Sequence, residues 1–409
     1  MVRLYLDNAA TSFPKPPCVH EAMLRYGTTV GGTAGRGSYF EAREGGRIIQ
    51  QCRQRICAYI NGEDANHVVF TLNTSDALNL AINGVIGHRR VNFPGKVIHA
   101  ITTDLDHNSV LRPLNAQAEE GVQWTCVAAD PQTGVVSAEA IRRALRPETA
   151  LVAVNHASNV TGALQPVAAI GAVCRAAGVL FLADIAQSLG HIPVDVQAMN
   201  IDLAAFPGHK GLLGPLGTGG LYLRPGIAGL VRPVRVGGTG SRSEQETQPD
   251  TMPDRFEPGS QNALGIAGLG EAVKWLADRG AEVLRHDRAL RQAMLEGLAE
   301  LKAWGPGAGA NGMRLLGPTG VDARVGVFSL THELLSPQEI AAVLEQEYGI
   351  LVRAGLHCAP RAHAAMGTRE TGGAVRLSVG AFNSAEDVTR ACGALGEVCD
   401  AATRAAARA

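Results

Sequence analysis

Between residues 66 and 223, short β-rich apolar runs alternate with helical patterns, and few folds accommodate that alternation. Runs at 68–71, 96–100, 123–127, 150–154, 179–183, 203–206 and 219–223 read as seven strands, with helices at 75–86, 137–144 and 167–177 among them. Parallel strands need crossover helices, so this pattern predicts a doubly wound, mainly parallel α/β sheet. At 409 residues the chain exceeds the length at which single cores split, and two domains are expected. A Gly/Pro/Ser/Thr-rich stretch at 236–258 breaks the periodicity and reads as a functional loop in preference to a plain linker. After it come helices at 263–276 and 279–301, a strand at 325–330, a helix at 337–348 and a strand at 375–379, an α+β pattern. The expected division is a large domain over 14–262 and a smaller one from 1–13 and 263–409. The Ala/Arg-rich end, 401–409, either extends the last helix or frays.

The apolar run 179–183 reads as a buried strand that leaves Asp184 at its carboxyl end, where open α/β sheets bind ligands. Lys210 lies twenty-six positions later in Phe206-Pro207-Gly208-His209-Lys210-Gly211. Taken alone, such an Asp is a helix cap and such a Lys is part of a solvated loop. Gln187 and His209 beside them favour chemistry: an aldehyde cofactor needs a lysine amine to hold it and a carboxylate to keep its pyridine nitrogen protonated. Pyridoxal 5'-phosphate has both requirements. Its phosphate would suit the helix start at Thr74 and Ser75, directly after a strand, although by itself that segment is an ordinary N-cap. His209 offers a further donor. His107, after a predicted strand end, is a candidate to stack on the ring and shuttle protons, or else a surface histidine. The amide of Gln187 could reach the ring's phenolic oxygen.

A net charge of -1 gives no basic excess, so neither nucleic acid nor an anionic membrane is suggested as a partner. No stretch approaches the ~20 apolar residues of a membrane span and the N-terminus lacks a signal-peptide pattern, so a cytoplasmic location is expected. The eight cysteines show no C-x-x-C and no zinc-type spacing with histidine, and most read as buried thiols.

Several segments in order carry a family resemblance: Tyr5-Leu6-Asp7-Asn8-Ala9-Ala10-Thr11, Asn73-Thr74-Ser75-Asp76, Asp106-His107-Asn108-Ser109, Asp184-Ile185-Ala186-Gln187, Gly208-His209-Lys210 and Arg353-Ala354-Gly355-Leu356-His357-Cys358-Ala359-Pro360. Together they resemble class V aminotransferases, and the last narrows this to the cysteine desulfurase and selenocysteine lyase branch. The resemblance spans essentially the whole chain and implies the fold of type I pyridoxal-phosphate transferases. It implies that Lys210 holds the cofactor and carries protons, that Asp184 pairs with the ring nitrogen, that Gln187 touches the phenolic oxygen and that His107 stacks on the ring. Thr74, Ser75 and His209 would hold the phosphate, and Ser260 would reach the cofactor phosphate of a neighbouring subunit, hence a homodimer. Asn159 and Arg376 match positions that bind the substrate carboxylate, and Arg36 falls in a matching arginine-glycine motif.

Cys358 matches the cysteine that accepts sulfur from L-cysteine as a persulfide. The thiolate is the reactive form, and Arg353 and His357 are near enough in sequence to lend it positive charge. The compact segment at 352–359 resembles the group with a short cysteine loop, which implies a dedicated sulfur-acceptor protein. Two departures, Tyr39 for a more usual histidine and Gly259-Ser260-Gln261-Asn262 for a threonine-proline pair, leave substrate choice and acceptor docking open. Selenocysteine lyase, another C–S or C–N lyase, or an aminotransferase, racemase or epimerase with an incidental Cys358 are the alternatives.

Overall fold

The computed structural model describes residues 3–34, 37–301 and 312–407. In chain order its first half runs β1 (Leu4–Tyr5), α1 (Pro17–Arg25), α2 (Phe40–Tyr59), β2 (Val68–Thr71), α3 (Thr74–Asn92), β3 (His99–Thr103), α4 (Asn108–Glu119) and β4 (Gln123–Val127). Then come α5 (Ala138–Ala144), β5 (Thr149–Asn155), α6 (Val167–Ala177), β6 (Leu180–Asp184), β7 (Leu203–Pro207) and β8 (Gly219–Leu223). The remainder is α7 (Ala263–Glu300), β9 (Met313–Leu315), β10 (Val327–His332), α8 (Pro337–Tyr348), β11 (Ile350–Leu351), β12 (Arg353–Gly355), α9 (Pro360–Ala365), β13 (Ala374–Ser378) and α10 (Ala385–Ala406).

The large sheet has seven strands in the order β2-β8-β7-β6-β5-β3-β4. Only β8 runs against its neighbours, so the sheet is mainly parallel as the alternating pattern predicts. β6 is central, and Asn155 and Asp184 stand side by side at the carboxyl ends of β5 and β6. β5, β7 and β8 are buried along their whole length, as expected of strands covered on both faces.

A second sheet, β12-β13-β10-β9, is antiparallel and has its own apolar core. β1 joins this region by pairing with β11, so the first residues of the chain lie beside the last third. The expectation of two helices over 263–301 is overturned: α7 is continuous for 38 residues. Its first part, through Val283, packs in the core of the large sheet, and Leu290 to Leu298 pack in the second core. Gly280, near the expected break, lies inside the helix, where an added Cβ would meet open space. The strand expected at 96–100 is also displaced, to His99–Thr103, because Lys96 and Val97 are exposed.

Candidate active site

A cleft with a volume of about 110 Å³ opens at the carboxyl ends of the central strands. Thr74, Ser75, His107, Asn159, Asp184, Gln187, His209 and Lys210 line it together with Asn73 and Asn155. Residues up to 137 positions apart, from Asn73 to Lys210, thus converge on one space.

Asp184 ends β6 and is buried; its Oδ1 accepts from the amide of Ala186 at 2.9 Å. Lys210 sits in the turn after β7, where the amide of Leu213 donates to its carbonyl at 2.8 Å. The residue is half-buried, but its amine lies deep in the protein. Burial, the larger effect, pushes the Asp184 carboxyl up and the Lys210 amine down to about 8, while the opposite charge of each works against the shift. Among the described residues nothing hydrogen-bonds the Lys210 amine, so an uncommitted nucleophile faces the cleft.

The turn that presents Lys210 is fastened by the N-terminal segment. The carbonyl of His209 accepts from the Ser12 amide (3.0 Å), the hydroxyls of Thr11 and Ser12 (both 3.1 Å) and the amine of Lys15 (2.9 Å). Two glycines allow the close approaches. A Cβ on Gly208 would lie 2.1 Å from Oγ1 of Thr218, and one on Gly219 would lie 2.8 Å from the backbone of Asn73. The second contact seats the N-cap of α3 against the sheet. Asn73 caps α3 by accepting from the Asp76 amide at 3.0 Å, which places Thr74 and Ser75 in the first turn at the positive end of the macrodipole.

His107 caps α4: its Nδ1 accepts from the amide of Ser109 at 3.0 Å. A backbone N–H can only donate, so the ring proton is assigned to Nε2. Burial, with Lys210 and Arg112 adding to it, holds His107 neutral, with its pKa down at about 4. Burial and Lys210 do the same to His209, also at about 4, and Nδ1 of His209 is buried without a partner. An unmatched ring nitrogen, an uncommitted amine, a helix start and a central buried carboxylate fit a phosphorylated pyridine aldehyde. Gln187 is placed nearby and donates from Nε2 to the carbonyl of Ala9 at 2.9 Å.

The cysteine turn packs against this cleft. Only residues 356–359 separate β12 from α9, so the loop is short, as the sequence suggests. His357 and Cys358 are both left-handed, with φ +50° and +57°, unusual for residues with a Cβ. Two donors hold them there: Asn159 Nδ2 to the His357 carbonyl at 2.6 Å, and the Asn108 amide to the Cys358 carbonyl at 2.8 Å. Cys358 itself is exposed. His357 departs from the expectation that it lends positive charge to the thiol: its ring turns inward, with Nδ1 3.2 Å from Nε2 of His363. Burial, helped by Arg376 and His363, drives its pKa down to about 2, so it carries no charge.

Arg376, in β13, is buried, and burial holds its guanidinium below the ordinary value while Asp7 works against that shift. Its Nη1 donates to the Asn159 carbonyl at 3.1 Å and its Nη2 to Asp7 Oδ1 at 2.8 Å. Arg353, opposite Arg376 in the β12–β13 register, is exposed. Ser260 is exposed and does not line the cleft of its own chain. Arg36 lies outside the described residues. Sequence reasoning missed Asp7 and Asp106 as individual residues. Asp106 is buried and accepts from Thr102 Oγ1, the amide and Oγ1 of Thr103 and the Asn155 amide, thereby tying the residue before His107 to the end of β5. Its position before His107 was the available signal.

The profile of the class V aminotransferases matches residues 4–391. A Methanothermobacter thermautotrophicus protein named "Probable cysteine desulfurase" is 33% identical over 389 residues, 94% of this chain and 92% of that one. A Yersinia pseudotuberculosis protein named "Cysteine desulfurase" is 31% identical over 395 residues, covering 95% of this chain and 91% of its own. Among solved structures, the apo cysteine desulfurase from Thermococcus onnurineus superposes with a TM-score of 0.87 at 30% identity, covering 98% of this chain and 95% of that one. With lysine, aspartate and histidine converging in one cleft and a family match along almost its full length, this chain belongs to the class V aminotransferase family.

Proposed function

We propose that the chain is a pyridoxal-phosphate-dependent L-cysteine desulfurase that converts L-cysteine to L-alanine and passes the sulfur to an acceptor. The observation that carries this reading is the placement of an exposed Cys358 on a turn that hydrogen-bonds both Asn108, next to His107, and Asn159 in the Lys210 cleft. When bound, the cofactor supplies an electron-withdrawing ring that weakens bonds at the carbon of an attached amino acid.

The chain's own groups then have distinct tasks. Lys210 holds the aldehyde and, once free, moves protons with its amine, whose lowered pKa keeps the reactive neutral form accessible near pH 8. Asp184 would hold the ring nitrogen of the cofactor protonated, an ion pair that suits a buried carboxylate. His107 would cover the ring, Gln187 would donate to the phenolic oxygen, and Thr74, Ser75 and His209 would hold the phosphate. Arg376 and Asn159 anchor the substrate carboxylate, with Arg353 opposite Arg376 on the neighbouring strand. The Cys358 thiolate attacks the substrate sulfur, forming an S–S bond as the C–S bond breaks. The electron pair of that bond stays with the carbon fragment, which gains a proton and leaves as alanine, while Cys358 retains the persulfide.

Ser260 would complete the phosphate site of a second subunit in a homodimer. The short cysteine turn limits how far Cys358 carries sulfur, which supports delivery to an acceptor protein docking at the cleft, in the cytoplasm. No helix among the described residues is long and apolar enough to cross a membrane. Incubation of the holoenzyme with cysteine, selenocysteine and other amino acids, with alanine and chalcogenide quantified, tests the reading. With a dithiol reductant present to release the persulfide sulfur as sulfide, equal amounts of alanine and sulfide from cysteine are expected; transamination or racemisation without sulfide would contradict it.

A further inference from the structure

We propose that Asp7 is a built-in carboxylate that occupies the Arg376 anchor and reserves it for amino acids over simple anions. The inference rests on the proposed role of Arg376. Each Nη of the guanidinium makes one hydrogen bond, Nη2 to Asp7 and Nη1 to the Asn159 carbonyl, and Arg376 is 2% exposed in its side chain against 21% for Asp7. Asn159 lines the cleft whereas Arg376 does not. Its Nε is buried without a partner, so the fork has spare donor capacity but no open face.

The backbone holds Asp7 in this place. Asp7 bridges to Ser378, two residues beyond Arg376, the Ala9 amide donates to Ser378 Oγ at 2.9 Å, and the Tyr5 hydroxyl donates to the Asp7 carbonyl at 3.1 Å. Asp7 is the one carboxylate in ion-pair contact with Arg376 among the described residues.

An incoming carboxylate therefore either displaces Asp7 or shares the guanidinium with it, and in both cases meets its negative charge. An amino acid engaged at its nitrogen as well binds the anchor as a second, intramolecular contact, so its effective concentration there overcomes the repulsion. A simple carboxylate has no such help. Asp7 thus discriminates by disfavouring the wrong ligand, and between turnovers it keeps the buried guanidinium paired.

The test is inhibition of the holoenzyme by propionate, measured against L-cysteine for the unaltered protein, Asp7→Asn, Arg376→Gln and the double variant. Asn keeps the shape and an acceptor oxygen while removing the charge, so the propionate inhibition constant is expected to fall by about fivefold or more in Asp7→Asn, with a smaller fall in the cysteine KM. Asp7→Ser, which withdraws the side chain, shifts both constants in the same direction and serves if Asp7→Asn does not fold. The double variant loses the gain. Unchanged or weaker propionate binding in both Asp7 variants, with a lower kcat, would overturn the proposal and leave Asp7 as a support for Arg376. An unchanged cysteine KM in Arg376→Gln would instead overturn the role of Arg376 itself.

Discussion

The backbone amide of Asn108 donates to the carbonyl of Cys358 at 2.8 Å. The residue that opens α4, directly after the capping His107, therefore also fixes the cysteine turn, and the proposed cofactor face and sulfur acceptor are held by one helix start. Because the bond is made by backbone atoms, changing the side chain of Cys358 leaves it intact.

Replacing Cys358 with alanine is accordingly expected to preserve the yellow absorption of bound cofactor and to lower sulfide release from cysteine by roughly a hundredfold or more. Normal turnover of cysteine by that variant would make the thiol incidental.

His209 offers a ring nitrogen that is buried and unmatched. His209→Ala should weaken cofactor retention by about tenfold, the worth of one hydrogen bond to a charged group, read from the cofactor dissociation constant.

The amine of Lys210 is shifted down from an ordinary value of 10.5 to about 8 by burial. The unfolded chain then binds one proton more than the folded one between those values, so stability rises with pH across that window. Below pH 8 both states are protonated and the full cost of the buried charge persists. The thermal midpoint of cofactor-free protein should therefore trail that of Lys210→Met most below pH 8, with the gap closing towards pH 10. A pH-independent gap would contradict the burial argument.

Gly190 has φ +93°, and a Cβ there would lie 2.2 Å from the carbonyl oxygen of Gly211, the residue after Lys210. Gly190→Ala combines an unfavourable dihedral with a clash against backbone and should cost about 2–4 kcal/mol, measured by denaturant unfolding. Cofactor binding should fall with it, because the displaced segment carries Lys210.

Asp184 and Lys210 were legible in the sequence because each follows a strongly apolar strand, and strand ends in a doubly wound sheet converge on one edge. The single helix α7 was not, since Gly280 and the neighbouring charged residues resemble a boundary when the two cores that flank them are unknown. Relationships that depend on distant chain segments were equally hidden. Asp7 and Arg376 are 369 positions apart, and the donors on the His209 carbonyl come from residues 11, 12 and 15. The inward turn of His357 towards His363 depends on burial, which adjacency to Cys358 does not encode.

The most direct measurement is borohydride reduction of the holoenzyme followed by peptide mass mapping. A pyridoxyl-phosphate adduct on the ε-nitrogen of Lys210, with no other lysine modified, is the predicted result. An unlabelled Lys210 in protein that retains bound cofactor would contradict the account.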